Sequence, residues 1–354
     1  MADIHCDYGV GDDTTGDGSA GNPYKTLQKA VDVCAASGDF IWVGDSADQV
    51  LSASIDWTTG YAGVLTTIRG WDQSAGAGVA GVGTIDGNSA VTTLFSITSM
   101  PANVTLFQMI LKGGTSTQAS MPSTGHLVQC EVDGSAGSSH GITYATGAGS
   151  VVDCYVHGCG GTGIRMTASS GYSVGNHLSG NGNPAIDLQG DYSVCEDCLV
   201  QSAGAIGIRM QGVRPLCKGN TVYDTASGTH GFDVQVSGGV FLNNIIVGFT
   251  NGIRRGGVNN KPQVQGYNHF FGNTTNYQGS VTPFTDIGND ETTDPGFTAA
   301  GSGDYSVGVN ARAQGWPPLL RGSSTYNFRD TGVAQRQEPA RLLTHPGMSG
   351  GMSG

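Results

Sequence analysis

Glutamate is almost missing from this sequence: Glu131, Glu196, Glu291 and Glu338 are the only four in 354 residues. Charged residues of every kind make up 12%, so a catalytic pair of carboxylates has few places to come from. Cations are scarcer than anions. The formal net charge of −12 disfavours a nucleic-acid-binding role. No apolar run reaches the roughly 18 residues of a membrane-spanning helix. The opening Met1-Ala-Asp-Ile-His-Cys has neither a basic region nor an apolar core, which predicts no secretory signal. No Ser-His-Asp order, phosphate-binding loop or dinucleotide fingerprint is present. Apolar residues at helical spacing do not recur in repeated units, which excludes ankyrin, tetratricopeptide and leucine-rich arrays. Glycine, by contrast, is abundant at 59 residues. It follows no Gly-X-Y period, so the chain is not collagen-like.

What is present is a repeat. Between His126 and Phe271 one column reads Cys130, Cys154, Asn176, Cys198, Asn220, Asn244 and Asn268, with steps of 24, 22, 22, 22, 24 and 24. An apolar residue stands two places after each: Val132, Val156, Leu178, Val200, Val222, Ile246 and Phe270. A second column reads Ile142, Ile164, Ile186, Ile208, Phe232 and Ile253, with steps of 22, 22, 22, 24 and 21. Gly141, Gly163, Gly207, Gly231 and Gly252 precede five of these. Short alternating runs such as Gly163-Ile164-Arg165-Met166 read as strands. The period predicts an all-β parallel β-helix solenoid, with like residues stacked roughly 4.8 Å apart. Buried amides in the Cys/Asn column would then bond from rung to rung, and the glycines would supply unusual φ values at a corner.

The eight cysteines divide. Cys130, Cys154 and Cys198 fall in the inward column and read as buried thiols. Cys195-Glu-Asp-Cys198 has the spacing of a metal knuckle or redox pair, but strand alternation puts the two on opposite faces. Cys195 and Cys217 share what reads as an outward column on adjacent rungs, close enough for a disulfide. Asp13, Thr15, Asp17 and Gly18 imitate the start of a calcium loop, but the twelfth position is Tyr24 rather than Glu. His157, His177, His230 and His269 sit at differing offsets and indicate no metal site. No cofactor is expected.

In chain order, residues 1–39 form a turn segment and a capping helix, predicted from Pro23 to about Ala36 on the stripe Leu27, Ala30, Val31, Cys34. Residues 40–310 form the solenoid, regular over about 126–273. Its first strands are expected at Phe40–Val43, Leu65–Arg69, Thr84–Ile85, Leu94–Ile97 and Val104–Leu111, around a glycine-rich loop at 72–83. Residues 311–354 read as an extended C-terminal arm ending in a doubled Gly-Met-Ser-Gly.

Residues 12–32 (DDTTGDGSAGNPYKTLQKAVD) resemble the opening segment of right-handed parallel β-helix proteins of the pectin-lyase-like superfamily. Residues 294–310 (DPGFTAAGSGDYSVGVN) are similar to the closing segment of that group. Residues 327–339 (NFRDTGVAQRQEP) resemble a tail found on β-helix proteins of tailed phages. The resemblance implies a right-handed coil and a place on a virion. It leaves function open, because the fold hosts lyases, hydrolases, adhesins and spikes.

The position after the second column reads Thr143, Arg165, Asp187, Arg209, Asp233, Arg254 and should face outward. Stacked, it is an Arg–Asp ladder. Pectate lyases place an arginine base and calcium-binding acids on such a face, and hydrolases place paired carboxylates there. The alternative reading is a self-compensating ion network that fixes register, and it is favoured because each Asp stands between arginines. Glu131 and Asp133, flanking Val132 with Asp153 one rung on, form the best glycosidase-like group. From Tyr305 onward Arg312, Arg321, Arg329, Arg336 and Arg341 face only Asp330 and Glu338. A basic arm on an acidic rod suits docking on a partner. The expectation is therefore a non-enzymatic virion component: capsid decoration, head spike or tail-associated β-helix. It would be trimeric, assembled in the host cytoplasm, and docked on a capsid or tail protein through Arg321, Arg329, Arg336 and Arg341. A tailspike depolymerase acting on a host surface glycan, as lyase or glycoside hydrolase, is the second reading. A surface adhesin is the third.

Overall fold

The computed structural model describes residues 3–34, 39–56, 66–95, 103–121, 124–135, 137, 140–145, 147–201, 204–224, 228–235, 238–256, 264–279, 285–286 and 290–297. The arm with Arg321, Arg329, Arg336 and Arg341 and the tail at 327–339 lie outside these residues. Every named strand pairing is parallel, and each lap of chain lays a strand on three faces in turn. Face one is a twelve-stranded sheet, running from Asp3–Cys6 through Phe40–Gly44, Ser150–Val152 and Tyr172–Val174 to Thr285–Asp286. Face two stacks Glu131–Asp133, Tyr155–His157, His177–Ser179 and their successors to His269–Phe271. Face three stacks His140–Tyr144, Thr162–Met166, Ile186–Leu188, Ile206–Met210, His230–Val234 and Asn251–Arg255. The chain is a parallel β-helix, as its period predicts.

The corner between faces one and two is built the same way on eight laps. One residue in the left-handed region precedes each ladder position: Gln108, Gln129, Asp153, Gly175, Asp197, Gly219, Asn243 and Tyr267, with φ between 52° and 68°. A single such residue turns the strand and leaves amides that the next corner must satisfy. The asparagines do this. Asn220 Oδ1 accepts from the Cys198 amide at 3.0 Å, and its Nδ2 donates to the Cys195 carbonyl at 2.9 Å. Asn244 Oδ1 accepts from both Asn220 N and Asn220 Nδ2 at 3.0 Å, and Asn268 Oδ1 accepts from the Asn244 amide at 3.1 Å. Leaving one such buried group unpaired costs about 1–3 kcal/mol. The ladder runs on to Asp290, whose Oδ1 accepts from the Asn268 amide at 2.9 Å.

This corner corrects the reading of the cysteines. Because Asp197 turns the chain, Cys195 and Cys198 both point inward and are fully buried. Cys195 and Cys217 stack in register, but inside the coil, and both are free thiols. Desolvation pushes the Cys198 thiol well up, as for a core residue.

The glycines of face three also have a different reason from the expected one. Gly141, Gly163, Gly207, Gly231 and Gly252 have no left-handed φ. They are glycines for space. A Cβ on Gly207 would stand 2.4 Å from Val222 Cγ1 and 2.8 Å from the Gly231 carbonyl oxygen. Here two successive residues, such as Gly141 and Ile142, face the core in strands that stay in register with their neighbours. The positions on either side, His140 and Thr143, therefore face outward together.

At the N-terminal end the helix spans Leu27–Val33 and is capped by Thr26, whose side chain accepts from the Lys29 amide. It starts later than Pro23 because Tyr24 is tied to the first strand by bridging Cys6. Gly83–Phe95 and Met109–Met121 are long strands serving faces two and three without a break. The run expected at Val104–Leu111 is split by the left-handed corner at Gln108. No described helix is long and apolar enough to cross a membrane.

Candidate functional site

The outer surface of face three carries the ladder. Thr143, Arg165, Asp187, Arg209, Asp233 and Arg254 lie in unbroken register. The contacts along it are not uniform. Asp187 takes Arg209 Nε at 3.1 Å on Oδ1 and Nη2 at 2.5 Å on Oδ2, with Gln189 Nε2 also on Oδ2 at 2.7 Å. The Asp187 side chain is 1% exposed. Asp233, equally covered, lies 3.9 Å from Arg254 Nε through Oδ1 and takes Gln235 Nε2 at 2.8 Å on Oδ2. Each aspartate thus pairs with the arginine one lap further on. The two aspartates lie beneath arginines rather than open to solvent.

Arg165 has no such contact. Its Nη1 lies 3.4 Å from His140 Nε2. A guanidinium can only donate, so Nε2 accepts and the imidazole proton sits on Nδ1. Burial, then the Arg165 charge, holds His140 below the usual histidine range, which keeps it neutral. Among the described residues, His140 Nδ1, Thr143 Oγ1 and Arg165 Nε are all buried without a hydrogen-bond partner. The same constellation recurs four laps on. His230 Nε2 faces Arg254 Nη1 at 2.9 Å, and the side-chain amide of Asn251 meets His230 Nδ1 at 3.1 Å, its oxygen being the atom that can accept the Nδ1 proton. Burial and the Arg254 charge likewise hold His230 down.

Face two carries a second cluster. Glu131 and Asp133 point outward around the buried Val132, as expected. One lap on, their register partners are Tyr155 and His157, whereas Asp153 is a corner residue. His157 Nε2 is 3.0 Å from Glu131 Oε1, and its Nδ1 is 3.8 Å from Asp133 Oδ1. The Tyr155 ring stacks on His157 at 4.5 Å and meets His177 at 4.9 Å. The hydrogen bond to Glu131 raises the His157 pKa despite its burial. Lys112, 2.7 Å from Asp48 and 3.6 Å from Asp86, adjoins this cluster. On face one, Trp42, Arg69 and Phe107 stack in register, with the guanidinium 4.5 Å and 5.2 Å from the two ring centres.

The calcium-like loop is a set of turns. Asp13 Oδ1 accepts from the amides of Lys25 and Thr26, and Asp17 Oδ1 from Ser19. Among the described residues no three His, Cys, Asp or Glu side chains are grouped to hold a metal. The sequence reading missed His140 and Tyr155, and weighed His157 only as a metal ligand. The signal was present: His140-Gly-Ile-Thr143 and His230-Gly-Phe-Asp233 spell one motif twice.

The family described as a right handed beta helix region matches residues 118–270. No curated protein matches the chain. Among solved structures, pectate lyase Pel9A is 11% identical with a TM-score of 0.60, over 94% of this chain and 96% of that one. The GH136 lacto-N-biosidase from Eubacterium ramulus is 12% identical with a TM-score of 0.52, over 82% of this chain and 68% of that one. Tailspike protein 2 of the Escherichia coli O157:H7 bacteriophage CAB120 overlaps more loosely, at 12% identity and a TM-score of 0.41, over 77% of this chain and 39% of that one. The likenesses to Pel9A and the lacto-N-biosidase establish the fold. The chain is a right-handed parallel β-helix.

Proposed function

We propose that this chain is a non-enzymatic β-helical rod of a phage-type virion, a capsid decoration or tail-associated protein. It is trimeric and attached through residues 311–354. The observation that carries the non-enzymatic reading is the state of the ladder: both oxygens of Asp187 are held by Arg209 and Gln189 beneath the surface. Such a carboxylate has no face to present to a substrate, and the network serves to lock rung register. The resemblance of residues 327–339 to phage β-helix tails supports the virion assignment, and the basic arm on an acidic rod supports docking. Immunogold labelling of purified particles tests it. Label at the head or tail is expected, and label confined to the soluble host fraction refutes the reading.

A polysaccharide-cleaving enzyme is the second reading, favoured by the Glu131–His157–Asp133 group beside the Tyr155 ring. Pel9A is named as a pectate lyase and the Eubacterium ramulus protein as a lacto-N-biosidase, so the fold is compatible with sugar chemistry. An assay for reducing ends and unsaturated products on host polysaccharide separates the two readings. Cleavage that is lost on Glu131→Gln establishes the enzyme.

A further inference from the structure

The last described residues leave the coil in a definite direction. Glu291 bridges to His269 one rung beyond it on face two, and its carbonyl accepts from the Phe270 amide at 2.8 Å. His269 Nε2 then donates to the Thr293 carbonyl. Pro295-Gly296 follows, with Gly296 at φ 63°, a pair of residues suited to a reversing turn. Phe297 lies past that turn. Its ring is 6.0 Å from that of Tyr223 and packs on Ile245 and Val247. Tyr223 and Val247 stand in register with Phe271, on earlier laps. The chain has climbed to the rung above His269 and come back down the outer side of face two. Burial follows this path. In one outward column His269, Ile245 and Thr221 are fully buried. Lower in the same column Leu199, His177, Tyr155 and Glu131 are half-buried. The cover stops partway down.

We infer that residues 298–305, outside the described residues, carry this return on over Leu199, His177 and Tyr155. Three laps separate Tyr223 from His157, roughly 14 Å at ~4.8 Å each. About eight residues span up to roughly 26 Å, so the segment reaches with length to spare. Thr298-Ala-Ala-Gly-Ser-Gly303 has only small side chains, which lets its backbone lie close on a strand stack. Tyr305 then arrives at the Tyr155–His157 stack, where a further ring packs favourably. Arg312 is the first arginine after Tyr305, and Glu131 and Asp133 are the acidic pair at the end of the path. Those charges are complementary. The protein's own chain thus closes the Glu131–His157–Asp133 group to a polymer. Residues 311–354 leave the rod at the level of its earlier laps, not from the end of the coil. Neither consequence depends on what the arm binds, so the inference stands or falls apart from the virion assignment.

The test is disulfide trapping in the full chain. Ser302→Cys is paired with Gln201→Cys or Ser179→Cys on face two, or with Ser120→Cys on face three. The native cysteines are buried and do not compete. Mild oxidation by air with copper phenanthroline should link Ser302→Cys to a face-two partner within one chain and leave Ser120→Cys unlinked. No link on face two, or an equally ready one to Ser120→Cys, overturns the path. Links formed only between chains overturn the occupant and assign the surface to a second copy. A second measurement needs no new thiol. Phe297→Ala should speed carbethoxylation of His157, read by mass spectrometry, at least about threefold, because loosening a local cover exposes what lies under it. An unchanged rate overturns the cover over His157.

Discussion

At the scale of single residues, His157 is where pH acts most directly. Its pKa is raised above the ordinary 6.5 first by the hydrogen bond to Glu131 and then by the charges of Asp133 and Glu131. The folded state therefore binds this proton more tightly than the unfolded chain. The stabilisation is fully present below about pH 6.5 and is lost as pH rises through the higher folded value. His140 and His230 act oppositely: their lowered pKa values make the fold lose stability as pH falls below the unfolded value. Taking the difference between wild type and His157→Gln isolates the first effect. The urea midpoint advantage of wild type should shrink between about pH 6 and about pH 8. An advantage that does not change with pH would show that the Glu131 contact is not formed in solution.

At the scale of one corner, the two kinds of glycine predict opposite tolerance. Gly207→Ala forces a Cβ against Val222 and the next lap's backbone, and should cost about 1–3 kcal/mol as an overpacked core does. Gly175 holds a left-handed φ that Asp153 and Asn243 hold elsewhere in the same corner. Gly175→Asn should therefore stay within about 0.5 kcal/mol of wild type. Thermal unfolding of both variants checks the contrast. These corners also mark how far the sequence could be read. The Cys/Asn column and the apolar columns repeat as letters, so the coil, its inward residues and the outward ladder were legible. The left-handed position repeats as a conformation under five different letters (Gln, Asp, Gly, Asn and Tyr), so no column showed it. That is why Cys195 and Cys198 were assigned to opposite faces by plain strand alternation. The doubled inward pair of face three was hidden for a related reason. Its glycines were visible, but whether a glycine serves torsion or space depends on Val156, Val222 and Ile246, which lie on face two.

At the scale of the molecule, face one presents Phe107, Val128, Val152 and Val174 in register along its outer side, beside the exposed ring of Tyr172. A flat apolar band of this kind suits packing of copies about an axis. Sedimentation equilibrium should give about three chain masses, as a closed three-fold assembly requires. Val152→Glu should reduce the mass toward one chain without unfolding it. A wild-type rod that sediments as a single chain at high concentration would remove the trimer from the proposed assembly. The asparagine ladder carries a consequence of another kind. Each Asn is satisfied by its immediate neighbours, and no corner senses how many others precede or follow it. A gene that gains or loses one whole 22-residue unit, such as the step from Asn176 to Cys198, changes reach by roughly 4.8 Å and leaves both termini's chemistry untouched. Reach is then a quantity that selection can adjust in fixed increments, like the notches of a telescoping pole.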